Sequence, residues 1–366
     1  MAPLTSAQRQ RYARQIRLDG FGAAGQEALT DAHVLVIGAG GLGAPVLTYL
    51  AAAGVGRLSI VDPDVVELSN LHRQFIHSET GVGRRKVDSA RDRLAELNSS
   101  IEIVTHPVLL TVDNALDLVG GADVVVDGSD NFATRYLAND ACEILGVPLV
   151  WGTILGFDGQ VAVFDARRGA TLRDLYPVVP APGSVPDCAT AGVIGALCGS
   201  IGAAMAMETI KLLAGIGTPL HDAVSIYDSL TATWETVPVG RNPRRPAVAD
   251  LHSHLGDYGE GAGEQGTAAC PTSTDETPTV TWAQFPGGVD LIDIREPAEV
   301  SAGMVPGAEH LPMDELLEHP EAIAGRSVAL YCRSGVRSAR ACAALRARGF
   351  DVSSVSGGYL AYLSRL

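Results

Sequence analysis

Short apolar runs alternate with stretches of helical period along most of this chain, the pattern of strand–helix–strand units. The first strong run is Val34–Ile37, continuous enough for a strand covered on both faces. It passes through six residues, Gly38-Ala39-Gly40-Gly41-Leu42-Gly43, into a helical pattern over Ala44–Ala53. Strands are predicted at Arg57–Val61, Ile101–Thr105, Val124–Val126 and Leu149–Trp151, with a hairpin-like Gln160–Phe164. Helices are predicted at Gln8–Arg17, Arg84–Asn98, near Asn114–Leu118 and over Asn131–Leu145. The apolar stretch Gly192–Ala206 continues into Glu208 and Lys211, and the helix predicted there, Gly192–Leu213, reads as a buried core helix, not a membrane span. Strands Val224–Asp228 and Thr233–Val237 follow. The pattern then lapses and resumes with strands Val289–Ile294, Val328–Tyr331 and Val352–Val355 and helix Arg337–Arg348. The fold class is α/β, in two domains: 1–240 and a smaller 279–366, joined by a flexible linker, 241–278, rich in Pro, Gly, Ser, Thr and Glu. His252 and His254 in that linker read as solvated, not as metal ligands.

Composition narrows the function. A chain of 366 residues has room for two or three domains. A net charge of −15 argues against a general nucleic-acid binder and against an anionic-membrane binder. Met1–Arg11 has no apolar run of signal-peptide length. The six cysteines are scattered singly, so a reduced, cytoplasmic protein is expected, with any special cysteine catalytic.

The candidate chemistry sits at strand ends. Strand, Gly-x-Gly-x-x-Gly and helix together form a phosphate-binding fingerprint, and Asp62 closes the next strand where an acidic residue accepts from a ribose hydroxyl. That makes the first domain Rossmann-like. The polar stretch Glu67–Phe75 follows, within reach of a nucleotide's phosphates. Arg84, Arg85 and Lys86 open a helix against its dipole, a placement that suggests an anion to hold. Asp130 follows strand Val124–Val126, placed to ligate Mg²⁺ on a nucleotide or to cap the next helix. Cys188 ends a long proline-rich loop just before a helix, where a thiol pKa falls. In the second domain, strand, Cys332-Arg333-Ser334-Gly335-Val336-Arg337-Ser338 and helix make a cradle for a sulfur anion.

Two resemblances rest on these residues. Arg11-Tyr12-Ala13-Arg14-Gln15, the glycine turn, Asp62, Asn70-Leu71-His72-Arg73-Gln74, Lys86 and Asp130 stand in the order of the ubiquitin-activating-like adenylyltransferases of molybdopterin and thiamin biosynthesis. Asp293-Ile294-Arg295-Glu296, His310-Leu311-Pro312, the Cys332 loop and Gly357-Gly358-Tyr359 resemble a rhodanese domain. The fusion is similar to the molybdopterin-synthase adenylyltransferase/sulfurtransferase type. The resemblance implies ATP and Mg²⁺, a homodimer, and a small ubiquitin-like sulfur-carrier protein ending in Gly-Gly. By the same resemblance Asp62 holds the ribose and Gly41 admits the phosphates. Asn70, Arg73, Gln74 and Lys86 neutralise the triphosphate, Asp130 beside Asn131 positions Mg²⁺, and Arg14 reaches the partner subunit's nucleotide. Cys332 would carry a persulfide from thiosulfate or a cysteine desulfurase, and Cys188 would accept an acyl group or remain a spectator.

The chain departs from that family in one coordinated way. Most members bind structural zinc through two Cys-x-x-Cys pairs. Here the matching positions are Thr171, Asp174, Arg245 and Val248, so no zinc is expected and the segment after Gly240 is expected to be looser. Rival readings remain at this level: an NAD-dependent dehydrogenase, which shares the glycine turn and the acidic residue; for the second domain, a phosphatase of similar architecture; and a carrier-binding scaffold, or a ligase passing an acyl group through Cys188.

Overall fold

The computed structural model describes residues 3–179, 192–258, 279–282, 289–295, 297–300, 303–332, 336–346, 348–355 and 358–363. The chain divides into two compact units, Met1–Gln265 and Gly266–Leu366.

In the first unit the elements run α1 (Ser6–Arg11), α2 (Ala13–Ile16), α3 (Gly22–Asp31), β1 (His33–Ile37), α4 (Gly43–Ala53), β2 (Arg57–Val61), α5 (Lys86–Leu97) and β3 (Glu102–His106). They continue α6 (Val112–Val119), β4 (Val124–Asp127), α7 (Phe132–Leu145), β5 (Leu149–Leu155), β6 (Asp158–Phe164), α8 (Leu172–Leu175), α9 (Gly195–Ala214), β7 (Ala223–Asp228) and β8 (Thr233–Pro238). The sheet order is β3-β2-β1-β4-β5-β6-β7-β8. The pairs from β3 to β5 are parallel and the pairs from β5 to β8 antiparallel, so the sheet is mixed. Chain order reverses at β1, which lies between β2 and β4. In open α/β sheets that crevice, at the carboxyl ends of the strands, is where ligands bind.

Strand alternation explains why both faces are covered. Val34 and Val36 of β1 point into a core built with α3, α4, α5 and α9. Leu35 and Ile37 point the other way, into a core with α6 and α7. The apolar helix α9 supplies Leu197, Ile201 and Met205 to the first of these cores. Although α9 is long and apolar enough to cross a membrane by length and composition, that face is spent on the sheet.

Several expectations need correcting. Gln8–Arg17 is two short helices broken at Tyr12, whose ring is buried and whose hydroxyl accepts from Asn98 Nδ2 at 2.9 Å. The helix α3 was not expected, because its glycines and weak amphipathic pattern hide it. The expected linker is not loose over Arg241–Tyr258. Val248, Leu251 and Tyr258 are buried, and the last two pack in the core of α6 and α7.

Charged side chains hold that segment in place. Arg245 donates to Asp174 Oδ1 at 3.1 Å, to both Glu143 oxygens at 3.1 Å, and to Thr171 Oγ1 at 3.0 Å. The Val248 amide also donates to Glu143. A second cluster joins Arg173 to Asp140 and Asp257, with the Tyr258 hydroxyl donating to Asp140 at 2.7 Å. A guanidinium thus lies among three of the four positions where the resemblance places zinc thiolates, and the fourth is an apolar side chain. Those residues do not fit a zinc ion.

Removing one partner of a buried pair leaves the other uncompensated, so Arg245→Ala is expected to cost about 3 kcal/mol, read by urea unfolding. Burial pushes the Asp174 carboxyl up, but the Thr171 amide and Arg245 override it and hold it below its ordinary value. Its contribution is therefore present above the unfolded carboxylate pKa and fades as the pH falls toward the depressed folded value.

The second unit contains β9 (Thr279–Val280), β10 (Asp290–Asp293), α10 (Pro297–Val300), β11 (Glu309–His310), α11 (Met313–Glu318), β12 (Val328–Tyr331), α12 (Val336–Arg346), β13 (Val352–Val355) and α13 (Gly358–Leu363). Its sheet is parallel, in the order β11-β10-β12-β13-β9.

Candidate functional site: a glycine-turn cleft and a buried cysteine

A cleft of about 310 Å³ opens where β1, β2 and β4 end. The glycine turn forms its floor. Gly38 has φ +90°, a conformation that favours glycine, and a Cβ on Gly43 would sit 1.9 Å from the Gly38 carbonyl. Gly43 therefore lets α4 start tight against β1. Among the described residues the amides of Gly40 and Gly41 find no acceptor. Unsatisfied amides at the head of a helix form an anion site.

Asp62 is buried at the tip of β2 and accepts from Ala39 N at 2.8 Å and Asp64 N at 2.9 Å. Lys86 lies beside it because Asp64–Val66 runs against Arg84–Lys86, and its Nζ pairs with Asp64 Oδ2 at 2.8 Å. Arg73 and Gln74 line the cleft. Gln74 is 4% exposed and its Oε1 is buried without a partner among the described residues. Arg73 is aimed by the Ser69 carbonyl and the His72 ring, both accepting from its Nη1.

Asn70 does not line the cleft. It closes the turn beneath it, accepting from Glu67 N with its side chain and from Arg73 N and Gln74 N with its carbonyl. The expected triplet of cations also separates. Arg84 pairs with Asp92 at 2.6 Å and Arg85 donates to the Pro107 carbonyl, which leaves Lys86 as the member in the cleft. Asp130 and Asn131 are on the opposite wall, and Asn131 caps α7 by accepting from Thr134 N at 2.8 Å. Arg14 is exposed on α2, outside the cleft lining. Cys188 lies outside the described residues.

Some lining residues were not anticipated. Arg135, one turn along α7, is buried in the wall, donating to Thr153 Oγ1 at 2.7 Å and the Ser129 carbonyl at 3.0 Å. The Asn131 cap with an arginine four residues on was its only trace in the sequence. Cys198 of α9 packs so close to Gly41 that a Cβ there would lie 3.0 Å from its sulfur. Leu109 and Leu110 give the cleft an apolar wall.

In the second unit Cys332 follows β12 and is buried. Its carbonyl accepts from Tyr359 N at 2.8 Å. The Tyr359 ring lies 4.0 Å from the guanidinium of Arg295, which is fixed on Asp293, and the Arg295 carbonyl is 2.8 Å from His310 Nε2. The scattered motif residues thus form one scaffold around the cysteine. Arg337 of α12 makes a two-pronged pair with Glu299 at 2.6 and 2.7 Å, whereas Arg333 lies outside the described residues.

A Rossmann-like unit with an anion-binding glycine turn, joined to a parallel-sheet unit bearing a buried strand-end cysteine, defines a two-part group-transfer enzyme. The chain belongs to the ThiF family, which matches residues 12–247, and a rhodanese-like domain matches residues 278–365. It is similar to the probable adenylyltransferase/sulfurtransferase MoeZ of Mycobacterium tuberculosis, at 42% identity over 97% of this chain and 93% of that one. The sulfur carrier protein adenylyltransferase of Thermus thermophilus is 49% identical over 69% of this chain and 96% of that protein. The adenylyltransferase and sulfurtransferase MOCS3 of Aedes aegypti is 39% identical over 89% and 78%. Among solved structures, E. coli MccB with ATP shares the fold, with a TM-score of 0.56 at 20% identity over 65% of this chain and 74% of that one. The protein is thus an adenylyltransferase and sulfurtransferase, and the dehydrogenase reading is set aside.

Proposed function

We propose that the cleft uses ATP to adenylate the C-terminal Gly-Gly carboxylate of a ubiquitin-like sulfur-carrier protein, and that Cys332 then supplies sulfur to give a thiocarboxylate. The observation that carries the nucleotide reading is the set of donors and acceptors in one cleft that have no partner among the described residues: the Gly40 and Gly41 amides, and the buried Gln74 Oε1. Asp62 takes the ribose and the Leu109–Leu110 wall takes the base. Arg73 and Lys86, with the two amides, face the phosphates. The carboxylate attacks the α-phosphorus and pyrophosphate leaves. Cations fixed before the reaction stabilise the charge that develops there. Glycines suit the substrate because an extended tail without side chains enters a narrow cleft.

Asp130 would hold Mg²⁺, which supplies charge neutralisation on the departing pyrophosphate. With Asp130 replaced by Asn, about tenfold more Mg²⁺ is expected to be needed for half-maximal activity, read by titration of the adenylation rate. Arg14, exposed on α2, would reach the nucleotide of the partner subunit in a homodimer.

In the second half-reaction the terminal sulfur of a Cys332 persulfide attacks the acyl-adenylate carbonyl and AMP leaves. A reducing thiol then attacks the Cys332 sulfur, forming a disulfide with it and displacing the carrier thiocarboxylate; Cys188 would accept an acyl group or remain a spectator. The sulfur comes from thiosulfate or a cysteine desulfurase, in a cytoplasmic pathway such as molybdopterin synthesis. Intact-mass measurement of a carrier incubated with enzyme, ATP, Mg²⁺, thiosulfate and a thiol tests this. One sulfur in place of one oxygen supports it, and a stable conjugate to another protein contradicts it.

A further inference from the structure

Ala39, in the middle of the glycine turn, is held from both sides. Its N–H donates to Asp62, and its carbonyl lies 3.0 Å from Nε2 of His77, a buried residue absent from the motifs that identify the cleft. The other ring nitrogen, Nδ1, lies 3.0 Å from Ser89 Oγ, itself buried on α5 one turn beyond Lys86. A carbonyl can only accept, so Nε2 carries the proton and donates to Ala39, while Nδ1 meets the Ser89 hydroxyl, a group able to donate or accept. Burial lowers the His77 pKa, the Ala39 bond opposes this, and the nearby Lys86 charge reinforces it.

The peptide bond turns this contact into a directional device. Ala39 C=O and Gly40 N–H belong to one rigid plane and point in opposite directions. Pinning the carbonyl onto His77 therefore fixes the Gly40 amide, which lies in the cleft lining and has no acceptor among the described residues. We propose that His77 is a positioning residue for the nucleotide's phosphates: through Ala39 it aims the Gly40 amide into the cleft, and through Ser89 it ties the turn to the helix bearing Lys86. The inference rests on the reading of this cleft as a nucleotide site. It adds a determinant that touches no substrate.

The test compares His77→Asn with His77→Gln in the full chain, measuring ATP and adenosine affinity by calorimetry. Glutamine carries an amide nitrogen out to the place of Nε2, whereas asparagine reaches only to the place of Nδ1. Losing the bond to a buried carbonyl is expected to weaken ATP about tenfold in His77→Asn, with adenosine affinity unchanged and the protein still folded at the assay temperature although its thermal midpoint falls. His77→Gln is expected to recover to within about threefold of wild type, and Ser89→Ala to weaken ATP in the same direction by less. Equal losses for ATP and adenosine would reduce His77 to packing, and an unchanged ATP affinity in His77→Asn would remove its role altogether. Wild-type protein that binds ATP but never adenylates a carrier sinks the proposed substrate and leaves this inference standing. Wild-type protein that does not bind ATP sinks both.

Discussion

Replacing Cys332 with alanine is expected to lower sulfur transfer from thiosulfate by on the order of a thousandfold or more while leaving ATP–pyrophosphate exchange intact. The persulfide has to be carried on a thiolate, and no neighbouring group can substitute for the atom that forms the S–S bond. The split between the two readouts is the point of the experiment. Arg295 on Asp293, Tyr359 against Arg295, and the Tyr359 amide on the Cys332 carbonyl are contacts within the second unit that an alanine side chain does not touch. The folded scaffold should survive, and with it the adenylating activity of the first unit. Thiosulfate:cyanide sulfurtransferase and exchange assays on the same preparation measure both arms. Exchange lost along with transfer would contradict the division of labour.

Arg73→Ala is expected to produce the reverse pattern. Its guanidinium is already oriented by Ser69 and His72 before any substrate arrives, so little reorganisation is needed when charge builds on the α-phosphate. Removing a preorganised charge of this kind costs about 10²–10³-fold in rate, and exchange should fall by that factor. Sulfurtransferase activity with cyanide as acceptor should stay at the wild-type level. A change in exchange of less than threefold would mean that Arg73 does not face the reacting phosphate.

Much of this was legible in the chain because it is local. Four apolar residues running into glycines dictate β1, the turn and α4, and Asp62 falls at the next strand end by simple counting. What escaped is made by distance. Arg245 meets Asp174 and Glu143 across 71 and 102 residues, so the segment after Gly240 looked like a linker although an ionic cluster and three buried side chains hold it. Arg84 and Arg85 looked like phosphate ligands from their position in a first turn. Asp92 and the Pro107 carbonyl, which occupy them, could not be read from spacing. His77 was hidden for another reason: it acts on a backbone carbonyl, and backbone partners leave no pattern in side-chain sequence.

The most direct measurement is ATP–pyrophosphate exchange with a purified ubiquitin-like carrier whose Gly-Gly tail is free. The expected result is exchange, with AMP released once sulfur is supplied, that disappears when the carrier is omitted or its last glycine is amidated. An enzyme that binds ATP yet neither exchanges pyrophosphate nor releases AMP with any Gly-Gly-tailed carrier would contradict the account.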